Sequence, residues 1–380
     1  MQIPVGKTLD VEVVEQQLAR LWLETAGQAR EESDAAVLRA RVANLLVFVS
    51  HEAALVESHA IFSELTAIHP SRVLTMTGLR EAADEDIEMT VATICQTDKR
   101  TGARRLSCEE ITLKACGKFV AELPSAALPL LVPDLPTFLW WRTAPDVAEK
   151  IFDTVLRATD RLVVDSAEFL DSSAELIATN RIFAGDKYRH VGVSDLNWAR
   201  LTFWRGLLAD FYDVAAYRSL LDRVDQVQVD YVAPESDSAA VAPQAWLIVG
   251  WLASRLGWRL AEKQPKKQRD QDVVVEFESS LNSPVLVKLN RVEPHERKPG
   301  RLVRVELRSS TDQAASFKVK RSDDNLHILA EATMGAETQR GRVLPVRNRS
   351  AAQLLGREME ILCNDDLYQQ ALEIAVGMIG

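Results

Sequence analysis

Cysteine is scarce in this 380-residue chain. Cys95, Cys108, Cys116 and Cys363 are too few and too irregularly spaced for a disulfide framework or a zinc site, and read as small apolar residues in a reducing compartment. Six histidines are scattered with no pair four residues apart, and His51-Glu52 is followed by no histidine at metal spacing. Glycine spacing excludes more. No two of the 16 glycines lie two positions apart, so neither the dinucleotide fingerprint G-x-G-x-x-G nor the kinase glycine loop occurs. None lie four apart, which removes G-x-S-x-G, and there is no G-x-x-x-x-G-K-[ST] phosphate loop. A nucleotide or metal enzyme of the common kinds thus lacks its usual parts, and no cofactor is expected. No apolar run approaches the roughly 18 residues of a membrane span. The first residues, Met-Gln-Ile-Pro-Val-Gly-Lys, hold no apolar signal core, so a cytoplasmic location is expected, with no membrane partner.

What is present is ordinary in bulk and uneven in charge. Hydrophobic residues at 47% and charged residues at 26% fit a globular protein. The length is generous for one core and predicts two domains. The net charge of −10 argues against general nucleic-acid binding. From Arg255 to Arg308, however, 13 Lys/Arg stand against 8 Asp/Glu, a local balance of +5. Such a region is either a solvated rim or a docking face for an acidic partner. Arg297, Lys298 and Arg301 are its expected docking charges.

The chain is organised around Leu128 to Arg142, Leu-Pro-Leu-Leu-Val-Pro-Asp-Leu-Pro-Thr-Phe-Leu-Trp-Trp-Arg. Three prolines cut its front half, and Thr137 to Trp141 is a compact apolar run. Neighbours on a strand face opposite ways, so Trp140 and Trp141 require apolar cover on both sides, as in a central strand between helix layers. Before it, Asp10 is a cap for a first helix that Gly27 stops, and a charged helix is predicted over 31–41. Leu45 to Val49 reads as a buried parallel strand, Ser50 as the next helix cap, and Val73 to Met76 as the returning strand. Ile87 to Gln96 and Leu106 to Ala115 predict an antiparallel hairpin around Thr97 to Gly102. After Arg142, Pro145 suits a helix start, Arg161 to Ser166 a short strand and its exit, and Asp195 a cap for a helix over 196–212.

Val227 to Val232 is predicted to close this N-terminal α/β domain (1–232), a mixed, largely parallel sheet flanked by helices. Ala233 to Pro243 has linker composition. A C-terminal α+β domain (244–380) follows, with a helix over 246–260 and an antiparallel sheet from segments within 273–330. Two helices, over 350–360 and 365–378, close it.

The candidate functional residues sit at predicted carboxyl ends of strands, where open α/β sheets place their ligand crevice. They are Ser50 and His51, Thr77, Arg142, and Asp165 with Ser166. Arg200 and Arg205 approach from the following helix. Together they suit an anion such as a sugar phosphate, and so an enzyme or sensor acting on one. The same residue types serve equally as ion pairs and helix caps.

Trp140-Trp141-Arg142, Asp160-Arg-Leu-Val-Val-Asp-Ser166 and Asp195-Leu-Asn-Trp-Ala-Arg-Leu-Thr-Phe-Trp-Arg205 together resemble the OpcA family, the glucose-6-phosphate dehydrogenase assembly proteins. His69-Pro-Ser-Arg72 and Cys108-Glu-Glu-Ile-Thr-Leu113 are similar to the family's earlier blocks, and the strong likeness runs from Ala43 to Asp210. The resemblance implies a non-catalytic protein that binds glucose-6-phosphate dehydrogenase and raises its activity or supports its oligomeric form. Two positions depart from it. Phe203 stands where many members have proline, and the C-terminal part carries only Cys363 where thioredoxin-linked relatives have a cysteine pair. An intradomain disulfide switch is therefore impossible there. Reduced and oxidised samples are expected to stimulate the dehydrogenase equally. Assaying both preparations side by side checks this, and a large difference refutes it.

Overall fold

The computed structural model describes residues 2–4, 11–32, 41–66, 68–97, 104–261, 266–267, 272–293, 298–310, 314–346, 349–361 and 363–380. The Asp10 cap, most of the helix expected over 31–41, all but Thr97 of the turn expected over 97–102, and Arg297 fall outside them. Two compact units share the chain. One is Met1–Val164, Gly185–Ser194 and Arg349–Asn364; the other is Asp165–Ala184, Asp195–Asn348 and Asp365–Gly380.

The first unit holds β1 (Gln2–Pro4), β2 (Ala43–Val49), β3 (Ser71–Leu79), β4 (Glu85–Thr97), β5 (Arg104–Cys116), β6 (Thr137–Trp141), β7 (Arg161–Val164) and β8 (Gly192–Asp195). Their order is β1-β4-β5-β3-β2-β6-β7-β8. The inner pairs β5/β3, β3/β2, β2/β6 and β6/β7 are parallel, whereas β4 runs antiparallel to β5 and β1. The continuous apolar run of β2 is buried at every position, as a strand covered on both faces requires. In β6 all five residues are likewise buried. Trp141 stacks on Phe48 with ring centres 4.1 Å apart and meets Phe152 at 4.8 Å, while its Nε1 donates to Ala144 O at 3.1 Å. Asn44, fully buried on β2, holds the proline-cut segment beside β6. Its Nδ2 donates to Val132 O and its Oδ1 accepts from Val132 N, both at 2.9 Å.

The second unit is built on β9 (Gln226–Val232), β10 (Arg259–Leu260), β11 (Lys266–Lys267), β12 (Val273–Glu278), β13 (Pro284–Val292), β14 (Leu302–Ser309), β15 (Ala315–Arg321), β16 (His327–Met334) and β17 (Glu337–Pro345). The order is β10-β12-β13-β9-β14-β15-β16-β17, with β11 on β12. Every pair is antiparallel except β13/β9. Burial alternates along β12 and β13, the mark of a sheet with one wet face.

The fold class is the expected one, and the strand allocation corrects the domain boundary. β9 sits at the middle of the second sheet, and 233–243 leads from it into the helix Pro243–Leu256 of the same unit. The reason is visible in its residues. Val227, Val229 and Tyr231 alternate with Gln226, Gln228 and Asp230, a two-faced pattern that suits this sheet and not the doubly covered first one. Local ends also differ from expectation. The helix Val11–Glu32 passes through Gly27, His51 rather than Ser50 caps Glu52–Leu65, and the helix after Arg142 begins at Lys150 rather than Pro145. The helix expected over 196–212 breaks at Leu201 into Leu196–Arg200 and Thr202–Asp210. Ser172–Ala184 is a helix outside the expected elements.

In the second unit the helices Pro243–Leu256 and Asp366–Ile379 approach closely at Gly250. A Cβ there meets Ala371 O at 2.1 Å, a backbone atom that no rotamer change can move aside. Helix propensity favours Gly250→Ala by about 1 kcal/mol, but overpacking of about 1–3 kcal/mol or more outweighs it. Gly250→Ala is therefore expected to lower the melting temperature; an unchanged or higher value refutes the close approach.

Candidate functional site

The expected strand-end residues divide between the two units. In the first, Ser50 and His51 are exposed, and His51 Nδ1 accepts from Ala54 N at 3.1 Å as the helix cap. Thr77 is buried within β3, short of the strand's end at Leu79. Arg142 follows β6 with only 5% of its side chain exposed. Its Nη1 donates to Ala54 O and Ser58 Oγ at 3.0 Å each, its Nη2 donates to Glu57 Oε2 at 3.0 Å, and its guanidinium lies 4.9 Å from the Trp140 ring centre. These contacts tie the end of β6 to the helix Glu52–Leu65. Arg142 is a strut.

The second unit gathers Asp165, Ser166, Asp195 and Arg200. Arg200 reaches Asp165 through both terminal nitrogens, at 2.6 and 2.7 Å, in a fork-to-carboxylate pair shielded from water. Removing one partner of such a pair costs about 3–5 kcal/mol, because the other is left charged and buried. Asp195 caps the helix Leu196–Arg200. It accepts from Asn197 N at 2.8 Å, Ser166 N at 3.0 Å and Ser166 Oγ at 2.7 Å. Burial first, then the Asp165 charge, push its carboxyl up to about 6, against the pull of those hydrogen bonds. Asn197 Oδ1 in turn accepts from Gln244 Nε2 at 2.7 Å, and Gln244 Oε1 accepts from Leu302 N at 3.1 Å. The polar chain thus ends at the first residue of β14.

Next to that residue is Arg301. Arg301, expected on a docking rim, is instead half-buried beside Arg200, Asp165 and Arg321. Burial, then Arg200 and Arg321, pull its guanidinium down to about 10, while Asp165 opposes them. Arg321 Nε donates to Leu302 O at 2.9 Å. Arg205 stands apart from this group. Its guanidinium carbon lies 3.5 Å from the Trp198 ring centre, and its Nη2 donates to Thr202 Oγ1 at 3.1 Å. Lys298 is exposed, and Arg297 lies outside the described residues. The sequence marks Asp195 only as a cap and does not single out Asn197, Gln244 or Arg321. The one available signal is Gln244, a polar residue immediately before the apolar run Ala245 to Leu252. Among the described residues, no group of three His, Cys, Asp or Glu is placed to hold a metal ion, and no helix is long and apolar enough to cross a membrane.

Comparison with known proteins gives this arrangement a family. Residues 62–181 match the profile described as the glucose-6-phosphate dehydrogenase subunit N-terminal domain, and residues 191–372 match that of the C-terminal domain. The chain belongs to the OpcA family. A relative from Synechocystis sp. named as OxPP cycle protein OpcA is 26% identical over 326 residues, covering 85% of this chain and 66% of the relative. Its namesake from Synechococcus elongatus is 28% identical over 328 residues, covering 83% and 69%. The match therefore spans about two thirds of those OpcA proteins. Among solved structures, UDP-N-acetylglucosamine 3-dehydrogenase GnnA from Acidithiobacillus ferrooxidans aligns with a TM-score of 0.44 at 12% identity, over 90% of this chain and 100% of that one. Levoglucosan dehydrogenase aligns with a TM-score of 0.44 at 10% identity, over 88% and 91%. Likeness that slight transfers no activity to an OpcA protein.

The buried Asp195 carboxyl makes a pH test of this OpcA cluster. Its folded value lies above the unfolded one, so its stabilising contribution is complete below about pH 4 and is lost as pH rises through about 6. At 1.36 kcal/mol per unit the loss is about 3 kcal/mol. Asp195→Asn, which cannot ionise, should gain stability relative to the unaltered protein between pH 4 and pH 7. Paired melts across that range check this, and a difference independent of pH defeats it.

Proposed function

We propose that this chain is a non-catalytic partner of glucose-6-phosphate dehydrogenase that raises the enzyme's activity or supports its oligomeric form. It would act in the cytoplasm and favour NADPH production by the oxidative pentose phosphate pathway. The observation that carries the reading is the succession of two family profiles, in order and covering most of the chain, both described as domains of a glucose-6-phosphate dehydrogenase subunit. An activator of this kind works by differential binding. It favours whichever state of the enzyme it binds more tightly, and by no more than that difference in affinity. Exposed positive charge such as Lys298 is the electrostatic candidate for docking, because it speeds encounter with an acidic surface.

Titrating the protein into its host's dehydrogenase tests the proposal. Activity or the oligomeric fraction should rise and saturate, and added salt should weaken the effect. An unchanged dehydrogenase, together with turnover of a sugar phosphate by the isolated protein, would favour the enzyme reading instead and end this one.

A further inference from the structure

We infer that the guanidinium cluster of the second unit, Arg301 with Arg200 and Arg321, is a binding site for the phosphoryl group of a small phosphomonoester. The argument starts from what each guanidinium already holds. Arg200 is committed to both oxygens of Asp165. Arg321 donates to Leu302 O. Arg301, half-buried at the foot of β14, makes no side-chain hydrogen bond or ion pair with a described residue. Of the other carboxylates acting on Arg200, Glu168 is exposed, and Asp195 is already held by Ser166 and Asn197 through three hydrogen bonds.

Arginine stays protonated throughout the physiological range, so Arg301 cannot escape its surroundings by losing a proton. A cation withdrawn from water beside two others is costly unless an anion joins it. Among the described residues, Asp165 is the carboxylate that acts on Arg301, and Arg200 already holds both of its oxygens, which points to an anion from solution. A forked guanidinium matches two oxygens of a phosphate or a carboxylate. The added positive charge of Arg200 and Arg321 favours a doubly charged group over a singly charged one. A half-buried position also suits a small ligand better than an extended surface.

This inference does not depend on partnership with the dehydrogenase, and its test uses the full chain alone. Calorimetric titration with inorganic phosphate should show saturable binding with a dissociation constant of order 1 mM or tighter, over a sodium chloride blank of equal ionic strength. Glucose 6-phosphate should bind at the same site in competition with phosphate, as expected of a free metabolite. Arg301→Gln should weaken both by about tenfold or more, the usual consequence of losing a charge-assisted contact. Lys298→Gln, an exposed charge nearby in the chain, should leave affinity unchanged. Arg301→Lys keeps the charge without the fork and serves if Arg301→Gln fails to fold; it too should bind more weakly. The inference is overturned if phosphate gives no saturable signal, if the Arg301 variants bind as tightly as the parent, or if Lys298→Gln loses as much.

Discussion

A guanidinium removed from water must find oxygen atoms within the protein, and this requirement governs how both units are assembled. In the first unit Arg72 is almost fully enclosed. It binds Glu109 from β5, Glu15 from the first helix and the carbonyl of Leu130, so one side chain clamps three segments. Arg161, buried on β7, donates to Ser194 Oγ at 2.7 Å and to the Cys363 carbonyl. Arg142 caps the end of β6 against the neighbouring helix, and Arg200 locks Asp165. Each is tied to a definite partner, and each partner comes from a different stretch of chain. Such contacts add less to net stability than their Coulomb energy implies, but they penalise heavily any arrangement that leaves one member unmatched. Among the described residues, Arg301 departs from that regularity.

The aspartates play the complementary part. Asp165, Asp195 and Asp365 each open one of the three segments that make up the second unit. Each carboxylate is held by a backbone N–H two or three residues further on, those of Ala167, Asn197 and Tyr368. Side chains of this type favour turns and helix starts because they bond locally to the main chain. Here two of the same carboxylates also reach across the unit, Asp165 to Arg200 and Asp365, through its second oxygen, to the Trp198 indole at 2.9 Å. Local capping and long-range fixing thus share one set of side chains.

Much of the architecture was legible wherever a single periodicity decided it. The unbroken apolar run of β2, the paired tryptophans of β6 and the alternating strands of the second sheet each have only one comfortable environment. Allocation between sheets was harder. Reading β9 with the sheet before it followed chain order, although its alternation of valines with glutamines already matched the sheet after it. The site was half legible. Asp165, Ser166 and Arg200 were chosen as strand-end and helix residues, and they do meet. Arg142 has the same sequence context but is used up by Glu57, Ser58 and Ala54, contacts 84 to 88 residues distant that no local pattern encodes. Arg301 was chosen for charge and found to matter for enclosure. Burial of a polar side chain is a property of the finished fold, and composition does not reveal it.

The chain changes unit five times between Val164 and Asp365, and its last return to the first unit is Arg349–Asn364. That late segment includes the Ser350-capped helix, whose hydroxyl donates to Glu64 at 2.8 Å, and the carbonyl of Cys363 on which Arg161 depends. A ribosome releasing the chain from its N-terminus must therefore deliver more than nine tenths of it before the first unit has all its parts. Until then Arg161 has Ser194 but lacks the Cys363 carbonyl, and Glu64 waits for the Ser350 hydroxyl. The order of synthesis and the order of assembly are at odds, and the first unit to emerge is not free to be the first to finish.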